Sequence, residues 1–147
     1  MRIKGFIFLV FFCNTYVFAQ WKSHYPETKE HKEENLKEKE KNNNILFERH
    51  FFTALKLKSL EDYDEALKYF QKCIKINNKI STPFYESSKI NKNLGNLSLA
   101  SEQIKVALIL EPKNVWYLLT AAEIYFTAQN YNSAIKYYRK LININPN

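Results

Sequence analysis

The sequence predicts an all-α fold, a solenoid of three helix-turn-helix repeats, on three observations. The stretch Asp62-Tyr63-Asp64-Glu65-Ala66-Leu67-Lys68-Tyr69-Phe70 echoes at Asn96-Leu97-Ser98-Leu99-Ala100-Ser101-Glu102-Gln103-Ile104 and again at Asn130-Tyr131-Asn132-Ser133-Ala134-Ile135-Lys136-Tyr137-Tyr138. Ala66, Ala100 and Ala134 stand 34 residues apart both times, and a fixed period of that size marks stacked units that bury their apolar faces against their neighbours. From Ile45 onward apolar residues recur about every 3.6 positions, in blocks near 45–58, 63–77, 82–93, 97–110, 115–128 and 131–144. Only two Gly and four Pro in 147 residues argue against a turn-rich β protein.

The turns between blocks have local causes. Asn77-Asn78, Gly95-Asn96, Asn130 and Asn145 tolerate turn geometry, and Pro83, Pro112 and Pro146 cannot continue a preceding helix. Thr82 before Pro83 reads as an N-cap followed by proline at the first helical position.

Ahead of the repeats the chain changes character twice. Arg2 and Lys4 precede the apolar run 6–13, and Val17-Phe18-Ala19 offers a small-x-small cleavage site, so residues 1–19 read as a secretory signal peptide. Asn14 and Thr15 stop that run short of the roughly 20 residues that span a bilayer. A lipid-attachment reading of Cys13 is weakened by Phe11 and Phe12, where small residues are wanted. After cleavage no membrane span is expected, and the single thiol Cys73 leaves no intramolecular disulfide. Export to the periplasm or cell envelope is the expectation, with inner-membrane anchoring if the signal stays.

Residues 20–44 then read as a charged flexible spacer. Seven acidic and seven basic residues fall within 22–50, and Leu36 is the one aliphatic side chain before Ile45. Such a segment buries too little to offset ordering entropy, and transient helix from pairs such as Glu33 with Lys37 is the most it is expected to hold.

The formal charge of +7 falls to +5 once Arg2 and Lys4 leave, with 20 basic against 15 acidic residues. The absence of a basic run, a glycine-flanked basic loop or zinc-finger spacing disfavours nucleic acid as partner. His24, His31 and His50 lack a helical-spaced His or Cys partner, so no metal and no cofactor is implied. The acidic cluster Glu61, Asp62, Asp64 and Glu65 sits where a helix begins, and negative charge there stabilises the dipole. No phosphate loop, nucleophile elbow or zinc-protease helix occurs, so the chain does not read as an enzyme.

On these residues the chain resembles the tetratricopeptide repeat family over three units, about 47–80, 81–114 and 115–147. Ala54, Ser88 and Ala122 fill the family's small eighth position, Ala66, Ala100 and Ala134 the twentieth, and Phe70, Ile104 and Tyr138 the large twenty-fourth. Cys73, Ala107 and Leu141 stand at the twenty-seventh position, and Asn78, Pro112 and Pro146 at the thirty-second. Asn78 departs from the usual proline, Leu141 from the small residue, and Glu61 stands where a turn glycine is common. Small residues let two helices approach closely, so Ala54 is expected against Ala66 and Cys73 is expected to be packing.

The resemblance implies a right-handed α-α superhelix whose concave groove binds a partner protein or peptide. Groove positions fall on Phe51, Leu55, Lys58, Tyr85, Lys89, Lys92, Trp116, Glu123 and Phe126, among others that include Phe52 and Glu86. Members that hold chaperone tails clamp a terminal carboxylate with Lys, Asn and Arg, whereas Phe51, Leu55, Glu86, Trp116 and Thr120 stand at those places here. The expected ligand is therefore an extended, partly acidic or aromatic segment anchored by Phe51, Tyr85 and Trp116, with Lys58, Lys89 and Lys92 as its charge partners. An alternative is a structural, self-associating role: Ile135, Tyr138 and Ile142 on the last helix have nothing after them to cover them, as in a fragment of a longer repeat array.

Overall fold

The computed structural model describes residues 28–144; the expected signal peptide 1–19, Trp21, His24 and the terminal Asn145-Pro146-Asn147 lie outside them. The described residues form six helices and no strand: α1 (Lys29–Ser59), α2 (Tyr63–Ile76), α3 (Thr82–Asn93), α4 (Leu97–Leu110), α5 (Val115–Thr127) and α6 (Tyr131–Ile144). By compactness the chain divides into two units, Met1–Lys41 and Asn42–Asn147. Within the second, each helix from α3 onward packs on the one before it, and α3 also meets α5, the neighbour-only pattern of a solenoid.

Two apolar clusters hold this unit together. Ala54, Ala66, Phe70 and Ile90 are fully buried in one cluster drawn from α1, α2 and α3, which places Ala54 and Ala66 in the same core. Ala100, Ile104, Ala107, Leu108, Tyr117, Leu118, Ala121 and Ile124 form the larger cluster of α4 and α5, flanked by Phe84 and Tyr85 from α3 and Tyr137 and Leu141 from α6.

The hairpin turns repeat atom for atom in their pattern. Asp62, Asn96 and Asn130 donate backbone N–H to Leu57, Asn91 and Tyr125 at 3.0, 2.8 and 2.9 Å, while Glu61, Gly95 and Gln129 donate to Lys58, Lys92 and Phe126. This is the Schellman closure, which needs a left-handed residue after the helix. Glu61, Gly95 and Gln129 supply it at φ 61°, 78° and 57°. Each turn then leads into a helix start, where Asp62 Oδ1 accepts from Glu65 N at 3.4 Å and Asn130 Oδ1 from Ser133 N at 3.1 Å.

Two features differ from the sequence expectation. The first helix begins at Lys29, well ahead of Ile45. Residues 29–44 are exposed but rich in Glu and Lys, which are strong helix formers, and Thr28 Oγ1 accepts from His31 N at 3.4 Å at its start. The N-cap of α3 is Ser81 rather than Thr82, and it makes no capping bond through its side chain. The buried Ser81 hydroxyl instead donates to Glu111 and lies 2.9 Å from the Tyr117 hydroxyl, tying two inter-repeat loops together.

Candidate functional site

The first helices of the three hairpins, α1, α3 and α5, lie side by side, and the contacts between them build a shared face. Between α1 and α3, Lys58 Nζ donates to Glu86 Oε2 at 2.5 Å. On α3 itself, one turn along, Lys89 Nζ reaches Glu86 Oε1 at 2.8 Å, so one carboxylate holds two ammonium groups. Between α3 and α5, Lys92 Nζ donates to Glu123 Oε2 at 2.6 Å, and the rings of Tyr85 and Tyr117 approach to 4.5 Å.

The nine residues expected on this face fall into three groups. Phe51 and Leu55 are half-buried and pack against the Ala54–Phe70 cluster, with Phe51 stacked on Phe47 at 6.0 Å and edge-on to Phe70 at 5.8 Å. Tyr85 likewise packs on the larger cluster and carries Lys89 Nζ 4.3 Å above its ring. Lys58, Lys89, Lys92 and Glu123 are joined in the ion pairs just described. Trp116 and Phe126 are exposed, at 68% and 59%, as is Phe52 at 66%.

The three lysines expected as charge partners for a ligand are each paired with a glutamate of their own chain. Glu86, only 8% exposed, was the residue whose role sequence reasoning missed. Lys58 and Lys92 share a position 34 residues apart, but their carboxylates do not: Thr120 stands 34 residues after Glu86, and Lys92 pairs with Glu123 instead, so the repeat register gave no signal for Glu86. Burial by itself would depress the Lys89 pKa, but the hydrogen bond and charge of Glu86 outweigh it and hold the ammonium above its ordinary value.

On α6, Ile135, Tyr138 and Ile142 are 46%, 39% and 65% exposed, and Ile135 lines a surface depression with Asn132, Lys136 and Arg139. Cys73 is fully buried, and desolvation pushes its thiol up to about 11, so it is a packing residue held unreactive. His50 Nδ1 is buried without a hydrogen-bond partner, and burial together with Lys72 and Arg49 lowers its pKa and favours the neutral ring. Among the described residues no three His, Cys, Asp or Glu side chains gather as a metal-holding group, and no helix is long and apolar enough to cross a membrane.

Helical hairpins repeated at a constant spacing, closed by the same turn and packed only on their neighbours, define a repeat-solenoid protein. Family models described as tetratricopeptide repeat match residues 55–80 and 115–147, so those two segments are similar to tetratricopeptide repeats. No protein of curated function matches it by sequence. Among solved structures, the fold is similar to the first TPR of Spaghetti (RPAP3) bound to an HSP90 peptide, at 17% identity and TM-score 0.65, covering 69% of this chain and 80% of that one. The TPR2B-domain:pHsp70 complex of yeast Sti1 is similar at 15% identity and TM-score 0.65, covering 68% and 80%. MamA is similar at 15% identity and TM-score 0.64, covering 67% of this chain, which spans about half of MamA (54%).

Proposed function

We propose that this chain is a protein-interaction scaffold that holds an extended segment of a partner protein across the face shared by α1, α3 and α5. The observation that carries this reading is the pair of large aromatics, Trp116 and Phe126, left exposed on α5 while its other aromatics are buried. Exposed Trp and Phe on a rigid face are the usual anchors of recognition. The similar structures that contain HSP90 and Hsp70 peptides support a peptide-binding use of the fold. Pairing Trp116→Ala with Phe126→Ala should cut cross-linking to the co-purifying partner at least tenfold with helix content unchanged; unaltered cross-linking would place binding elsewhere.

The N-terminal signal pattern supports export to the periplasm or envelope. Fractionation should find the chain outside the cytoplasm and shortened by the 1–19 segment, and a full-length cytoplasmic product would overturn this.

A second reading, self-association through α6, is favoured by the exposed Ile135, Tyr138 and Ile142. Light scattering would then show a mass that rises with concentration and that Ile142→Asp returns to the monomer; a constant monomer mass excludes it.

A further inference from the structure

An acidic ligand tail needs cations that are available to it, and on this face each lysine is already held. Lys58 and Lys89 take one oxygen each of Glu86, at 2.5 and 2.8 Å, and Lys92 takes Glu123 at 2.6 Å. These are charge-assisted bonds made within the chain, so no loss of translational freedom opposes them. An incoming carboxylate would have to displace Glu86 or Glu123 and then rest beside the displaced group, a like-charge juxtaposition that disfavours the complex. Three lysines against two carboxylates leave only a small positive excess, and Glu86 is too buried to swing away into solvent, at 8% exposure. The aromatic side chains most exposed on α1 and α5 are apolar: Phe52, Trp116 and Phe126.

Resting on the peptide-binding reading above, we propose that Glu86 determines specificity. By holding Lys58 and Lys89 it turns the face against acidic tails and leaves it selective for an uncharged segment bearing aromatic or aliphatic side chains. Specificity here comes as much from the repulsive group as from the attractive surface.

The test is selection of random dodecapeptides displayed on phage against the full chain, followed by anisotropy measurements on recovered sequences. From the unaltered chain, recovered peptides should be depleted in Asp and Glu and enriched in Phe, Leu, Tyr and Ile. Their affinity should change less than about twofold between low and high salt, because little charge is paired across the contact. Glu86→Gln keeps the side-chain shape and frees both lysines, and should recover acidic peptides, which then bind at least tenfold tighter than to the unaltered chain and lose that gain in high salt. Acidic sequences recovered from the unaltered chain, or an unchanged preference in a helical Glu86→Gln protein, would overturn the proposal. If that variant loses helix signal, Glu123→Gln decides by the same readout with a smaller gain, since it frees Lys92 alone and its carboxylate is 43% exposed. Failure of the underlying reading looks different. No peptide would be enriched at all, or recovered peptides would bind Trp116→Ala undiminished.

Discussion

Where α3 meets α1 and α2, four buried residues make the core and a carboxylate held by two lysines closes the surface above it. Where α5 meets α4 and α3, eight buried residues make the core and the Lys92–Glu123 pair above it is more open to water. Apolar burial scales with area, so the second seam carries more of the stability, and the first depends more on one polar contact. The arrangement sets α4 and α5 apart as the apolar platform, and on the proposed reading the α1–α3 seam is where ligand charge would be judged.

The largest effects test that division directly. Phe70→Ala empties the smaller cluster and should cost about 3–5 kcal/mol, while amide exchange in α4 and α5 stays slow. Leu118→Ala should cost about 2–5 kcal/mol in urea denaturation and speed exchange across both clusters, because it removes the platform. If both variants loosen the same amides, the two regions are one cooperative unit.

Smaller effects sharpen it. Glu86→Gln should lower stability by about 1–2 kcal/mol, below the figure for a fully dry pair because both lysines keep partial solvent access. Glu123→Gln, at the more exposed pair, should cost no more than about 0.5 kcal/mol by the same thermal melt. Glu61→Gly and Gln129→Gly relieve left-handed positions occupied by side-chain-bearing residues and should each stabilise by about 0.5–1 kcal/mol.

Cys73 offers a probe of the weaker region without perturbing it. Its folded thiol lies near 11 against an unfolded value near 9, so the neutral thiol contributes stability that is full below about pH 9 and is lost as pH rises through the folded value. At pH 8, mass-mapped alkylation should reach Cys73 only through opening, and at a lower urea concentration than the loss of helix signal. Coincident transitions would contradict the ranking of the seams.

The 34-residue register was legible because it rests on small residues: Ala66, Ala100 and Ala134 are all buried in the packed helices. Gly95 announced its turn, but Glu61 and Gln129 adopt the same left-handed backbone with nothing in their side chains to advertise it. The turn was readable there only by counting from Gly95. Residues 29–44 have no apolar period, so their helix is invisible to a pattern that detects burial. Ser81 stands at the N-cap in place of Thr82 with its hydroxyl turned to Glu111 and Tyr117, and the groove lysines pair with Glu86 and Glu123. Such long-range pairings are fixed only once the helices are in place.

The recurring turn has a consequence for how such a chain can grow. Each hairpin hinges on the same backbone geometry at 61, 95 and 129, so a second copy of the middle module could be spliced in without inventing a new bend. In that longer protein the first copy's Lys92 would meet the second copy's Glu86, as Lys58 now does, because Lys58 and Lys92 occupy equivalent places. The inserted seam would therefore arrive with its own lysine–glutamate pair, and duplication would lengthen the face and its charge pairing together.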